Sequence, residues 1–182
     1  MYTLAQISAL DFNDLYQQHH RRVYNFCLNY LHRLEDAEEV TQDVFVKIHQ
    51  KMHAFDSRSQ LSTWIYRITV NCCIDFVKSK NRKKRFGFLL SLFHAETGDI
   101  LHEAESFEHP GVDLEQREAI ERIFKHIDTL PPNQKTALLL SKIEQKPQKE
   151  IAEILSISEK AVESLLHRAK DNLSKKIRRA NE

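Results

Sequence analysis

Mostly apolar residues recur every three or four positions along the first half of the chain. Three such stripes follow one another, beginning near residues 12, 37 and 61. Their members are Phe12, Leu15, Tyr16, His19, Val23, Phe26, Cys27 and Tyr30, then Ala37, Val40, Val44, Ile48 and Met52, then Leu61, Ile65, Ile68, Cys72 and Phe76. A period near 3.6 residues is typical of helices with one buried face, so the pattern predicts three amphipathic helices.

The same periodicity returns near residue 114 and is interrupted twice, at Pro131-Pro132 and at Ser156-Ile157-Ser158. The apolar positions on either side of the second break are Ile151, Ala152 and Leu155, then Val162, Leu165, Leu166, Ala169 and Leu173. The Ser158 hydroxyl can accept a hydrogen bond from a free backbone N–H and so start a new helix. The pattern therefore predicts a helix-turn-helix.

The outer face of that last helix carries only side chains that form hydrogen bonds. They are Lys160, Glu163, Ser164, His167 and Asp171, with Arg168 beside them. A solvated surface has this composition, and so does a helix that reads bases in a DNA groove. The motif alone leaves both interpretations open.

Charge is segregated along the chain, although the net charge is only +1. Residues 1–85 carry 13 Lys and Arg against 9 Asp and Glu, residues 86–115 carry none against 7, and residues 116–182 carry 14 against 10. The net charges of the three segments are therefore +4, −7 and +4. Charges that served only solubility would not predict two basic blocks flanking an acidic connector.

Composition indicates a mostly helical protein that stays in the cytoplasm. The 182 residues include only 3 glycines and 4 prolines, with 41% hydrophobic and 29% charged residues. The first ten residues are too short and too polar for a signal peptide, and no apolar run reaches the roughly 18 residues that cross a bilayer. Cys27, Cys72 and Cys73 are odd in number and lack C-x-x-C spacing, so we expect reduced, partly buried thiols.

Two further helix faces carry candidate chemistry. On the third predicted helix, an aromatic ring, an amide, a carboxylate and three cations form one stripe, namely Trp64, Arg67, Asn71, Asp75, Lys78 and Arg82. Such a stripe suits nucleic acid, because cations neutralise phosphate and a ring stacks on an unpaired base, although a core tryptophan among solvated neighbours has the same spacing. The second predicted helix is acidic over residues 35–43. Acidic residues near a helix N-terminus stabilise the helix, which is one interpretation. The more specific interpretation is that this face is a docking surface for a basic protein.

These segments, taken in order, resemble the extracytoplasmic-function (ECF) group of bacterial sigma factors. The matching stretches are DAEEVTQDVFVKIHQ, FDSRSQLSTWIYRITVNCCIDFVKSKNRKKR, LPPNQKTALLL and KEIAEILSISEKAVESLLHRAKDNL. The resemblance implies an all-α protein of two helical domains joined by a flexible acidic linker, with the helix-turn-helix in the C-terminal domain. The expected boundaries are 1–85 for region 2, 86–113 for the linker and 114–182 for region 4.

The resemblance also implies roles for individual residues. The residues implied to contact the clamp coiled coil of polymerase β′ are Asp36, Glu39, Gln42, Asp43 and Phe45. Capture and opening of the −10 promoter element fall to Phe55, Asp56, Ser57, Arg58, Ser59, Gln60, Leu61, Trp64, Arg67, Asn71, Asp75, Lys78 and Arg82. Reading of the −35 element falls to Lys149, Ser158, Glu159, Lys160, Glu163, Ser164, His167, Arg168 and Lys170.

The implied function is promoter-specific initiation of transcription. The implied partners are core RNA polymerase, through the β′ clamp coiled coil and the β flap, promoter DNA, and an anti-sigma factor. No catalysis, cofactor, metal or small-molecule substrate is implied. The apolar stretch FGFLLSLF at 86–93 is a candidate contact for the anti-sigma factor or for packing between domains.

Two other function classes account for only part of this sequence. A polymerase-independent helix-turn-helix regulator accounts for the last helix but leaves the acidic helix and the Trp64 stripe unexplained. A metal or hydrolytic enzyme would have to use side chains such as His19, His20, Cys72 and Cys73, yet no H-E-x-x-H, C-x-x-C or P-loop motif is present.

The chain departs from the family pattern at four positions of the helix-turn-helix. Ser156 stands where many members have Gly, and Ala161, Glu163 and Leu165 stand where basic residues or Thr are common. Serine tolerates a turn, so the fold is still expected. The departures leave the −35 sequence open, because Glu163 can accept from a cytosine amine whereas a lysine would seek guanine or phosphate.

Overall fold

The computed structural model describes residues 12–55, 59–93 and 114–180, and for residues 54, 86–93, 114–120 and 180 it describes the backbone alone. The described residues form seven α-helices and no strand, as the sequence predicts. The helices are α1 Phe12–Leu31, α2 Leu34–Lys51, α3 Leu61–Phe93, α4 Leu114–Asp128, α5 Pro132–Lys142, α6 Gln148–Leu155 and α7 Glu159–Ala180. A 3₁₀ turn, Met52–Ala54, follows α2. Among these residues no helix has both the length and the hydropathy needed to cross a bilayer.

The first three helices pack on one another through the predicted stripes. Phe26 of α1, Val44 and Ile48 of α2 and Ile65 of α3 are almost completely buried. The ring of Phe26 meets the ring of Tyr66 edge-on, with centroids 5.8 Å apart. Since each large apolar side chain contributes about 1.5–3 kcal/mol when fully buried, these stripes hold the first half together.

The three cysteines are buried and unbridged, as predicted. The Sγ atoms of Cys27 and Cys73 lie 3.8 Å apart. Burial raises the pKa of the Cys73 thiol and that of the Cys72 thiol, even though Lys47 Nζ lies 3.3 Å from Cys72 Sγ. Thiols with raised pKa values are poor nucleophiles, so Cys72 and Cys73 behave as small apolar core residues. Cys27 is fully buried beside Cys73 and packs in the same core.

The helix α3 is longer than the sequence pattern indicated. We expected the first domain to end with the basic run at 78–85, but α3 continues to Phe93 over 33 residues. The backbone of FGFLLSLF is therefore helical, in a segment that we expected to belong to the linker. The rest of the expected linker, residues 94–113, lies outside the described residues.

The predicted helix-turn-helix is confirmed. Ser156 ends α6 in the left-handed conformation, with φ 56°, and the N–H of Ile157 reaches back to the carbonyl of Ala152 over 3.0 Å. The Ser158 Oγ then accepts a hydrogen bond of 3.2 Å from the backbone N–H of Ala161. Val162 and Ala169 of α7 are fully buried, and the amide of Asn172 donates to Gln134 of α5.

The two halves of the chain meet at the C-terminal end of α1. The Nζ of Lys135 donates to the carbonyl of Tyr30 at 2.7 Å and to Asp128 Oδ1 at 2.6 Å, and it lies 4.3 Å from the centre of the Tyr30 ring. The same Asp128 oxygen accepts from Nε2 of His32 at 2.9 Å. We call Tyr30, His32, Asp128 and Lys135 the α1 clasp.

A second set of contacts joins α3 to the segment around α6. The hydroxyl of Tyr66 donates to the carboxylate of Glu144, and Nζ of Lys146 lies 4.6 Å from the centre of the Tyr66 ring. The Nη2 of Arg67 donates to the backbone carbonyl of Glu153 at 2.7 Å. Burial and the hydrogen bond to Glu144 raise the pKa of Tyr66, so its hydroxyl stays a donor at neutral pH. We call these five residues the α3 clasp.

The turn between α6 and α7 yields the first prediction. A left-handed backbone costs a non-glycine residue about 1 kcal/mol, so Ser156→Gly should raise the free energy of unfolding by up to about 1 kcal/mol. Ser158→Ala removes the helix cap and should lower it by about 1 kcal/mol. Urea denaturation followed by circular dichroism measures both. A change of the same sign for both substitutions would contradict the assigned geometry.

The α1 clasp yields a prediction about pH. Burial opposes ionisation of Asp128, but the hydrogen bond from His32 and the charge of Lys135 outweigh it and hold the pKa of Asp128 below its usual value of 3.8. The ionised carboxylate therefore stabilises the fold fully above pH 3.8, and this contribution is lost as the pH falls through the lowered pKa of Asp128.

Asp128→Asn should accordingly lower the free energy of unfolding at neutral pH and lose its effect in acid. The measurement is the difference between wild type and variant in urea unfolding, followed from pH 7 down to the lowest pH at which both fold. Asp14→Asn, at an exposed position of α1, is the matched control and should stay close to wild type throughout. An Asp128→Asn effect that persists undiminished in acid would refute the pairing.

Candidate nucleic-acid and protein interfaces

The five α2 residues predicted to bind polymerase differ in how exposed they are. Glu39, Gln42 and Asp43 are exposed and lie within one turn of one another. Asp36 is half-buried and pairs with Lys80 of α3, with Nζ 2.6 Å from Oδ2. Phe45 is only 4% exposed and belongs to the core. Three of the five side chains are thus directly available to a partner.

The sequence interpretation missed an apolar residue on the same face. Val46 of α2 is 54% exposed and follows Asp43 by three positions and Gln42 by four. An exposed valine at the end of the acidic face adds apolar surface next to Asp43, and protein interfaces combine apolar and polar surface in this way. Its spacing from Gln42 and Asp43 was the available signal.

A groove of about 350 Å³ lies between α1 and α2, beside the acidic face. It is lined by Tyr16, His20, Tyr24, Glu38, Thr41, Gln42 and Phe45. The ring of Phe45 packs edge-on against that of Tyr16, with centroids 4.7 Å apart. Phe45 therefore shapes this groove from within the core, although it does not present an exposed surface.

The predicted −10 loop and the start of α3 are only partly described, because Asp56, Ser57 and Arg58 lie outside the described residues. Phe55 is buried, and its ring lies 5.1 Å from that of Trp64, which is half-buried. Ser59, Gln60 and Leu61 follow at the helix start, where the Gln60 carbonyl accepts from the Trp64 N–H over 3.1 Å. The Trp64 side chain is thus partly packed against Phe55 and partly exposed.

The stripe along α3 separates into a covered part and an open part. Asn71, Asp75, Lys78 and Arg82 are exposed, as predicted for a surface that meets DNA. Arg67 is half-buried, and its guanidinium is bound to the Glu153 carbonyl in the other half of the chain. The sequence placed Arg67 on the open face, but it did not show that α6 covers this end of the stripe.

The helix α7 presents most of the predicted reading residues to solvent. The exposed members are Ser158, Glu159, Lys160, Glu163, His167, Arg168 and Lys170, together with Lys149 on α6. Ser164 is half-buried, and its hydroxyl donates to the carbonyl of Lys160 at 3.0 Å. His167 Nδ1 lies 3.2 Å from Asp171, and Arg168 Nε lies 3.2 Å from the Ser164 carbonyl. Glu163 and Lys160 therefore point outward on the side of α7 opposite its buried Val162.

The histidines and cysteines named as enzyme candidates lie at separate depths in the first half. Within the described ranges, no three His, Cys, Asp or Glu side chains come together in a way that holds a metal ion. Burial and the charge of Arg22 lower the pKa of His19, which favours its neutral form. His19 and His20 are half-buried, and Cys72 and Cys73 lie in the core.

Comparison with known protein families matches both halves of the chain. The description "Sigma-70 region 2" matches residues 15–83, and "Sigma-70, region 4" matches residues 116–173. The ECF RNA polymerase sigma factor SigW of Bacillus subtilis is 29% identical over 179 residues, covering 95% of this chain and 90% of the relative. The ECF RNA polymerase sigma-E factor of Haemophilus influenzae is 28% identical over 166 residues, covering 91% and 87%.

Two solved structures share the fold. CnrH in complex with the cytosolic domain of CnrY aligns with a TM-score of 0.66 at 21% identity, covering 96% of this chain and 94% of that one. The sigma factor RpoE in complex with the anti-sigma factor NepR, from Bartonella quintana, aligns with a TM-score of 0.64 at 18% identity, covering 92% and 97%.

Proposed function

We propose that the separate exposed faces of this chain carry out different steps of transcription initiation, because the chain belongs to the ECF group of the sigma-70 family of RNA polymerase sigma factors. It binds core RNA polymerase and directs promoter recognition, DNA melting and initiation. Residues 1–85 and 114–182 act as the two promoter-binding domains, and 86–113 as the linker. The protein works in the cytoplasm and catalyses no reaction itself.

One observation carries this assignment of faces. A single chain presents an acidic helix face, a cationic helix stripe and a capped helix-turn-helix, each on a separate exposed surface. An acidic face repels DNA phosphates, so it suits a protein partner, whereas the other two surfaces suit DNA. A protein that binds polymerase and promoter together needs all three.

The acidic face of α2 docks on a basic surface of polymerase. Glu39, Gln42 and Asp43 form its polar part, and the exposed Val46 adds an apolar contact beside them. The β′ clamp coiled coil is the proposed partner of this face, and the β flap is the proposed partner of the C-terminal half. The polymerase then holds both halves on one promoter, which raises their effective concentration and compensates for the modest net charge.

The DNA-binding surfaces have different roles. Asn71, Asp75, Lys78 and Arg82 track the −10 element along α3, and Trp64 stacks on a base once the strands separate. On α7, Lys160, Glu163 and His167 face the bases of the −35 element, whereas Arg168 and Lys170 contact phosphates.

A protein inhibitor completes the set of proposed partners. Both solved relatives above were captured with another protein, in one case an anti-sigma factor, and they share the fold of this chain. This supports an anti-sigma factor for this chain as well. The alternative of a regulator that acts without polymerase gives the acidic face no role.

The polymerase contact is tested by reversing one charge. Asp43→Lys should weaken binding to core polymerase at least about tenfold, equivalent to roughly 1.4 kcal/mol, because it places a cation against a basic surface. Asp14→Lys changes the net charge equally at an exposed position of α1 and is the matched control. Binding to core is measured by fluorescence anisotropy, with helicity checked in parallel. If both variants bind like wild type, the α2 face has another role.

The −35 contact is tested by comparing two kinds of substitution on α7. Glu163→Lys should change the preferred base at one position, since a lost base contact costs about 1–3 kcal/mol there. Lys170→Ala should weaken all promoters alike and reduce the salt slope by roughly one unit. Both are measured by selecting a randomised −35 library with holoenzyme. Identical preferred sequences for wild type and Glu163→Lys would show that Glu163 merely faces solvent.

A further inference from the structure

Polar contacts join α2, which carries the acidic face, to α3, which carries the exposed stripe from Asn71 to Arg82. We call that stripe the −10 stripe. The Nζ of Lys80 on α3 donates to Oδ2 of Asp36 on α2 at 2.6 Å. The side chain of Asp36 is only 15% exposed and that of Lys80 31%, so salt screens this pair less than it screens fully exposed charges. A residue that the sequence assigned to polymerase is thus bound to the helix that meets DNA.

Lys80 lies on the face of α3 that packs against α2. It follows Phe76 of the predicted apolar stripe by four positions, and its ammonium lies 6.0 Å from the centre of the Phe76 ring. Lys78 and Arg82 are each two positions from Lys80, and residues two apart do not share a helix face. Both are exposed. Lys80 therefore faces α2, whereas Lys78 and Arg82 project away from it.

A second lysine joins the same two helices. Lys47 of α2 is half-buried, and its Nζ donates to Sγ of Cys72 on α3 at 3.3 Å. Burial opposes protonation of Lys47, but the hydrogen bond to Cys72 and the charges of Asp43 and Asp75 outweigh it and raise its pKa. The ammonium thus interacts with one carboxylate of the acidic face and with one of the −10 stripe.

The Asp36–Lys80 pair acts on the last part of the −10 stripe. Of residues 78–85, only Ser79 and Lys80 are half-buried, and the other six are exposed. The end of the stripe therefore has little packing of its own to hold it against the first half. Because a helix is stiff over a single turn, a bond that fixes Lys80 to α2 also fixes the direction in which Lys78 and Arg82 project.

We propose that Asp36 is a positioning residue for DNA binding and not a polymerase contact: by holding Lys80, it orients the end of the −10 stripe on α2. The inference rests on the proposed function, because it takes Lys78 and Arg82 to meet the −10 element. Asp36 acts on DNA only through Lys80. Its loss therefore impairs promoter binding by the holoenzyme and leaves the binding of core polymerase intact.

The experiment distinguishes the two roles of Asp36 by measuring core binding and promoter binding separately with the full chain. Asp36→Asn should leave the Kd for core within about twofold of wild type, whereas the saturated holoenzyme should bind a promoter fragment about three- to tenfold more weakly, because a preorganised surface is lost. Asp36→Glu keeps the carboxylate and should bind the promoter like wild type. A weaker core Kd with unchanged promoter binding would overturn the proposal, and so would an Asp36→Glu variant as impaired as Asp36→Asn.

Lys80 supplies the second half of the test. Lys80→Gln should weaken promoter binding as much as Asp36→Asn does, and the double variant should be no weaker than either, because both remove the same ion pair. It should also leave the salt slope of promoter binding unchanged, whereas loss of a phosphate contact would reduce that slope by roughly one unit. Additive effects or a reduced slope would show that Lys80 itself contacts DNA, against the proposal. If Asp36→Asn fails to fold, Lys80→Gln alone tests the pair.

Hydrogen exchange in the free chain separates this inference from the proposed function. Asp36→Asn and Lys80→Gln should speed exchange of the backbone amides of residues 76–82 by the same factor, about three- to tenfold, because the end of α3 opens more often. Asp14→Asn removes one charge at an exposed position of α1 and should match wild type. Unchanged exchange in both pair variants would overturn the proposal. Faster exchange in both, with a wild-type protein that fails to bind core, would support the positioning of α3 by Asp36 and refute the proposed function instead.

Discussion

The ammonium of Lys135 is the group whose satisfaction fixes the arrangement of the whole chain. The residue is only 7% exposed, and a buried charge is tolerated only when it is paired and hydrogen-bonded. Its hydrogen-bond partners come from two places, the carbonyl of Tyr30 at the end of α1 and Asp128 at the end of α4. His32, just beyond α1, adopts a left-handed backbone, with φ 65°, and its ring bonds to the same Asp128 oxygen. This buried charge therefore ties the first half to the second at one end of the junction.

Once the halves are joined in this way, their surfaces are no longer equivalent. The acidic face of α2, the outer face of α7 and the α3 stripe from Asn71 to Arg82 remain exposed. The start of α3, with Tyr66 and Arg67, is covered by the second half. A partner protein can therefore reach α2 while the first part of α3 is covered by the second half.

Local pattern predicted most of the helices, and long-range pairing explains what it missed. The three apolar stripes are buried, the Pro131-Pro132 break precedes α5, and Ser158 caps α7, because each depends on residues a few positions apart. Phe45 was assigned to the polymerase contact by the family resemblance alone and was not part of the predicted apolar stripe, so its place in the core was not foreseen. The Asp36–Lys80 pair joins residues 44 apart, and the His32–Asp128 bond joins residues 96 apart. No spacing rule links positions so distant.

The contacts that join the two halves are largely polar, and this chemistry determines what the junction contributes. Replacing buried ion pairs by apolar residues is often neutral or stabilising, so a polar junction specifies geometry more than it adds stability. An apolar junction of the same size would hold the halves without fixing their orientation and would expose a hydrophobic patch on opening. The clasps instead leave behind charged and hydroxyl groups that water can solvate, such as Asp128 and Glu144. A junction of this chemistry therefore combines a defined geometry with surfaces that remain hydrophilic on both halves.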